Sequence, residues 1–155
     1  MRQLVVYYSR TGTTRKIAEA VAEVLKCDVE EIRDLKNRTG LLGWLSSGMD
    51  ATLKRLTRIE KPVNPPELFD VTVIGTPVWN STMSTPVRTY IVEYRDRFKQ
   101  VAFFCTQYGS RSSVLKEMED LCGRKPVATL MLRKRQVETG EYIDAVRQFC
   151  TQITR

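Results

Sequence analysis

The feature that most restricts this chain is its alternation of short β-rich apolar runs with segments whose apolar residues recur at helical spacing. Gln3–Tyr8, with LVVYY at its centre, is followed by Thr13–Leu25, where Ile17, Ala18, Val21, Val24 and Leu25 share one helical side. Asp28–Ile32 is a weaker strand and Val71–Gly75 (VTVIG) a strong one. Thr85 and Pro86 read as the cap and first residue of a helix that carries Val87, Tyr90 and Ile91. Val101–Cys105 (VAFFC) is a fourth strand, and Ser113–Leu121 a helix that Gly123 is placed to end. Val127–Leu132 is a fifth strand. Glu141–Ile153 is a last helix with Ile143, Val146, Phe149, Cys150 and Ile153 on one side. Apolar strands separated by helices imply an α/β fold with a parallel sheet covered on both faces. Right-handed crossovers and this spacing fit the doubly wound strand order 2-1-3-4-5. The expected organisation is one domain, 1–155, with one sizeable core.

Leu35–Leu68 departs from this rhythm and is too long for a plain connection. Leu41, Leu42, Trp44, Leu45, Met49, Leu53 and Leu56 suggest an amphipathic helix inside it. Pro62, Pro65 and Pro66 then impose an extended approach to the third strand. Trp44 is expected to pack inward.

Composition removes several kinds of chemistry. The chain has no histidine, so schemes that need an imidazole base are excluded. Cys27, Cys105, Cys122 and Cys150 are widely spaced, with no C-x-x-C pair, which predicts free thiols and no metal site. No residue is singled out as catalytic. No apolar run is long enough to span a bilayer, and the first residues lead straight into a strand rather than a secretion signal. The expectation is therefore a cytoplasmic protein with no membrane partner. A net charge of +7 raises the question of nucleic acid. The short basic clusters at Lys54–Arg58 and Arg133–Arg135 match no recognition motif and are read as solvated faces.

In open α/β sheets, ligands bind beyond the carboxyl ends of the strands where the order reverses. Three loops lie at that edge. The first, Ser9-Arg10-Thr11-Gly12-Thr13-Thr14, joins a strand to a helix. Gly12 lets the backbone bend, the helix start offers unpaired N–H groups, and four hydroxyls surround it. A plain helix cap needs only one of those hydroxyls, so the loop reads as a phosphate cradle, with Arg10 and Arg15 adding positive charge. Neither G-x-x-x-x-G-K-[ST] nor G-x-G-x-x-G is present, and the loop lacks the nucleophilic cysteine of a small tyrosine phosphatase. Asp34 is only a weak match to a ribose-binding acid. The second loop, Gly75–Ser84, holds Thr76, Pro77, Val78, Trp79 and Asn80, and offers an aromatic surface to a ligand or to solvent. The third, Thr106-Gln107-Tyr108-Gly109-Ser110, brings a second aromatic and a glycine that permits a tight turn.

On these three motifs (SRTGTT, GTPVWNSTMSTPVR and FFCTQYGS, in that order) the whole chain resembles the flavodoxin family, in its short-chain form. The resemblance implies a bound FMN. Ser9, Arg10, Thr11, Gly12, Thr13 and Thr14 would hold its phosphate. Thr76, Pro77, Val78, Trp79 and Asn80 would line one side of the ring, and Thr106, Gln107, Tyr108 and Gly109 the other. It also implies a carrier that shuttles electrons between a reductase and an electron acceptor. Two alternatives stand beside that one: an NAD(P)H-dependent FMN or quinone reductase, and a flavin-free binding module of the same fold. Free carriers of this family are usually strongly acidic and usually place glycine and acidic residues beside the tryptophan. This chain is basic and has Asn80-Ser81-Thr82 there.

Overall fold

The computed structural model describes residues 1–109 and 112–155. β1 (Gln3–Tyr7) leads into α1 (Thr13–Leu25), and β2 (Asp28–Glu31) is followed by α2 (Gly40–Thr52). A short 3₁₀ turn at Pro66–Leu68 precedes β3 (Val71–Trp79), β4 (Thr82–Met83) and α3 (Thr85–Tyr94). β5 (Gln100–Gln107), α4 (Val114–Cys122), β6 (Thr129–Arg133), α5 (Lys134–Thr139) and α6 (Ile143–Ile153) complete the chain.

The parallel strands lie in the order β2-β1-β3-β5-β6, which is 2-1-3-4-5 when they alone are counted. The order reverses between β1 and β3, whose registers run from Gln3 opposite Val71 to Tyr7 opposite Gly75. Alternation along the strands divides the core in two. Leu4, Val6, Ile74 and Phe103 pack under α3 and α4 with Tyr90, Ile91 and Met118. Val5, Val73, Ala102 and Phe104 pack under α1 and α6 with Ile17, Val21, Val146 and Phe149. The central strands thus bury both faces, as a doubly wound sheet requires.

Several boundaries differ from expectation. The third strand runs on to Trp79 and turns through Asn80 and Ser81 into β4, pairing Val78 with Met83 and Trp79 with Thr82. Both turn residues have positive φ, 47° and 64°. This is the mirror-image hairpin turn that matches strand twist, built here without the usual glycine. Ser84, not Thr85, stands at the α3 cap, with Pro86 inside the first turn. The basic run at Lys134 opens the extra helix α5, whose Val137 is buried against the sheet. Gly123, at φ 69°, ends α4 as expected.

The helix in the Leu35–Leu68 segment exists, but it faces the other way. Its inner side is Gly43, Ser47, Asp50 and Ala51, while Leu41, Leu42, Trp44, Leu45 and Met49 point outward. The inner side is held by charge. Arg38, almost fully buried, bonds Asp34 through Nε and Asp50 through Nη1 at 3.0 Å. Lys36 and Arg55 also reach Asp50, at 2.6 and 3.3 Å. Burial alone would raise the Asp50 pKa, but hydrogen bonds from Lys36, Arg38 and Arg55 together hold it below the ordinary carboxylate value. Gly43 lies so close to the Arg38 backbone that a Cβ there would stand 2.2 Å from its carbonyl carbon. Only a small residue lets α2 settle at that depth.

Candidate functional site

The three loops meet at the carboxyl edge of the sheet around a cavity of about 670 Å³. That volume is in the range of pockets that enclose small ligands. Ser9, Arg10, Thr11, Thr13 and Thr14 line one end. Pro77, Val78, Trp79 and Asn80 form one wall, and Thr106, Gln107, Tyr108 and Gly109 contribute from β5 and the loop after it. Gly12 and Thr76 do not line the cavity. Ser110, the last residue expected in the third loop, lies outside the described residues.

Gly12 shapes the first loop from behind. At φ 99° it occupies a conformation that suits glycine, and its N–H donates to Ser9 Oγ at 3.0 Å. The first α1 hydrogen bond runs from Lys16 N–H to the Gly12 carbonyl. The amides of Thr13, Thr14 and Arg15 are the donors that a helix leaves unpaired at its start. Among the described residues no side chain caps this end. The hydroxyls divide their roles. Thr14 is buried and bonds Thr106 Oγ1 at 2.8 Å, which ties the first loop to the third. Ser9, Thr11 and Thr13 remain at the cavity. Arg15 does not join them. Its guanidinium reaches Glu31 at 2.8 Å and the Tyr7 hydroxyl at 3.1 Å. Asp34 is spent on Arg38 and on the Thr57 hydroxyl, so it is not placed for a ribose.

Trp79 is less free than the sequence implies. Its ring meets Tyr8 edge-on, with centroids 5.5 Å apart, and the Arg38 guanidinium carbon lies 5.3 Å from its centroid. The hairpin that carries it is clamped from α4. Glu117 accepts from the Thr82 hydroxyl and, at 3.1 Å, from the Met83 N–H, and it pairs with Arg88 at 3.2 Å. Thr76, fully buried, accepts a hydrogen bond from Ser84 N–H at 3.0 Å and so braces the hairpin from inside the sheet. On the opposite wall, Gln107 is buried, and its Oε1 accepts from Ser112 Oγ at 2.8 Å. Its Nε2 is buried and has no partner among the described residues. Tyr108 is 77% exposed, with Lys134 Nζ donating to its hydroxyl at 2.9 Å. Gly109 has no left-handed φ, and a Cβ there would meet open space.

Cys105 sits in β5 just before Thr106. Burial pushes its thiol up to about 12, so it is protonated near neutrality and unsuited to thiolate chemistry.

A sequence profile described as flavodoxin matches residues 2–147. The chain belongs to the flavodoxin family. A flavoprotein from Lactobacillus acidophilus, solved in complex with FMN, has a TM-score of 0.72 at 21% identity, over 89% of this chain and 97% of its own. The two-electron reduced flavodoxin of Megasphaera elsdenii gives 0.64 at 15%, over 96% and 98%. Oxidised flavodoxin 1 of Bacillus cereus gives 0.59 at 16%, over 99% and 97%. At these identities the likeness is one of fold. No curated protein matches the chain.

Within this flavodoxin fold, the sequence reading missed part of the cavity wall. Trp44, Leu45, Ser47 and Gly48 of α2 line it, as do Ser112 and Lys134. Trp44, expected to pack inward, is 56% exposed. Gly48 faces the hairpin turn, where a Cβ would stand 2.7 Å from Asn80 Nδ2, the tip of a side chain that bonds Thr52 Oγ1 at 3.1 Å. Lys134 belongs to a cluster read as a solvated face. Only the short α5, which the sequence reading did not anticipate, brings it beside Tyr108.

Proposed function

We propose that this chain binds FMN in the cavity and serves as an electron carrier between a reductase and an electron acceptor. The observation that carries the reading is the uncapped start of α1. Its amides and the Ser9, Thr11 and Thr13 hydroxyls share one end of a cavity walled by Trp79 and Gln107. The donor set at that end suits a phosphate, which helix N-termini favour. The Lactobacillus acidophilus flavoprotein solved with FMN supports the same choice of ligand.

When bound, FMN would supply the redox chemistry by taking up and releasing electrons. The chain's own residues bind and orient. Ser9, Arg10, Thr11, Gly12, Thr13 and Thr14 hold the phosphate. Pro77, Val78, Trp79 and Asn80 confine one side of the ring, with Thr76 bracing them. Thr106, Gln107, Tyr108 and Gly109 confine the other. The Glu117 clamp on Thr82 and Met83 keeps Trp79 and Asn80 fixed.

A second reading has its own support. Arg10 and Lys134 both line the cavity, and their charge suits an anionic cosubstrate such as NAD(P)H. An absorption spectrum of the purified protein after FMN is added and the excess removed, followed by NAD(P)H, separates the cases. A carrier keeps its visible flavin band until a separate reductase is supplied. Rapid bleaching by NAD(P)H alone marks an NAD(P)H-dependent FMN or quinone reductase. A colourless protein that takes up no FMN overturns both and leaves the flavin-free module.

A further inference from the structure

We propose that the outer face of α2 is an interfacial anchor that seats the mouth of the cavity on an anionic lipid surface. Leu41 and Leu42 are 72% and 82% exposed, and Trp44, Leu45, Met49, Leu53 and Leu56 are each more than half exposed. Leu41, Leu45 and Met49 follow one another at helical spacing, with Leu42 and Trp44 beside them, so the exposed apolar groups form one stripe. Contiguous apolar surface of this kind marks contact with a membrane or another protein.

Charge selects between the occupants. From Leu35 to Arg58 the only acidic residue is Asp50, and it lies beneath α2 in contact with Lys36, Arg38 and Arg55. The exposed charged side chains of this segment are all positive: Arg58, Lys36 and Arg55, which also reach Asp50, and Lys54, which stands 4.0 Å from Glu117. α2 itself carries no lysine or arginine, and the cations flank it on either side along the chain; an exposed leucine and tryptophan stripe with basic neighbours suits an anionic lipid surface. A second copy of the chain fits worse. An isologous contact would set these cations against one another. A protein partner fits worse too. Leu41, Leu42 and Leu45 stand out from a single convex helix, whereas protein interfaces centre on anchors seated in complementary pockets. A bilayer needs no matching shape, and each cation meets an anionic headgroup without a fixed partner.

The stripe is continuous with the cavity, because Trp44 and Leu45 belong to both. Seating α2 in the headgroup region therefore turns the cavity mouth toward the lipid. The sequence expectation of no membrane partner rested on the lack of a spanning run. Among the described residues no helix is long and apolar enough to cross a membrane, and an in-plane helix needs none.

Sedimentation with vesicles tests this on the full chain with FMN added. Vesicles of phosphatidylcholine alone are compared with vesicles in which roughly a third of the lipid is phosphatidylglycerol. The expected result is binding to the anionic vesicles only, weakened as salt is raised. A Leu41→Ser/Leu42→Ser double variant should bind about tenfold more weakly or worse. Both leucines lie outside the cavity wall, so FMN uptake by the variant shows that it is folded, and it reports on the FMN reading separately. Three outcomes overturn the proposal: no sedimentation with anionic vesicles at low salt, equal binding by the double variant, or a concentration-dependent dimer that the double variant abolishes.

Discussion

The Arg38 guanidinium lies 5.3 Å from the centre of the Trp79 ring while its own nitrogens bond Asp34 and Asp50. One buried cation thus joins the helix that roofs the cavity to the aromatic that walls it. Its charge is matched by two carboxylates on the protein side, and the indole faces it as a cation–π partner.

Arg38→Met should therefore cost far more than a surface charge change. Asp34 would be left buried without its guanidinium, and Asp50 would keep only Lys36 and Arg55. Removing one partner of a buried pair destabilises by about 3–5 kcal/mol. Urea unfolding followed by tryptophan emission measures this. A loss below about 0.5 kcal/mol, the scale of an ordinary surface change, would show that the cluster is not holding α2 down.

Gly75→Ala tests the packing under the site. A Cβ at Gly75 would stand 2.0 Å from Phe104 Cζ, and Phe104 is itself fully buried, edge-on to Phe149. Overpacking of this sort costs about 1–3 kcal/mol. Pairing it with Phe104→Leu should return part of that loss, because the ring is the obstacle. If the double variant is as unstable as the sum of the two single variants, the clash is not the cause.

Trp79→Ala should weaken FMN binding by roughly 1–2 kcal/mol, about five- to thirtyfold in Kd, if the indole confines the ring. Quenching of FMN fluorescence on titration with protein gives the number directly. Trp44→Ala, on the α2 side of the cavity, makes the comparison. An unchanged Kd for Trp79→Ala would assign that tryptophan to packing with Tyr8 and Arg38 alone.

The strand order and the three loops were legible because they rest on local chemistry. VTVIG and VAFFC are apolar on both sides, and SRTGTT has more hydroxyls than a cap can use. What escaped depends on contacts far apart in the chain. An apolar stripe shows that a helix has such a side, not which way it turns. For α2 that was decided by Asp34, Arg38 and Asp50, with glycine at position 43 admitting the close approach. The Asn80–Ser81 hairpin turn carries no glycine to announce it. Lys134 reaches the cavity only because β6 ends at Arg133 and α5 begins beside Tyr108.

The same hairpin gives the chain an acid-sensitive point. Burial raises the Glu117 pKa, but the Thr82 hydroxyl, the Met83 N–H and Arg88 outweigh it and hold the carboxyl below its ordinary value. The folded state therefore binds this proton less readily than the unfolded chain, whose glutamates titrate at about 4.3. The contribution of Glu117 to stability is fully present above that value and is lost as pH falls through the folded pKa. Urea midpoints measured from about pH 6 down to about pH 3 should fall for the parent protein. In Glu117→Gln, which keeps a hydrogen-bonding group but cannot titrate, the fall over the acid part of that range should be shallower. The difference is bounded by one proton per molecule. Identical slopes for the two proteins would mean that the clamp on Thr82 and Met83 does not depend on a charged carboxylate.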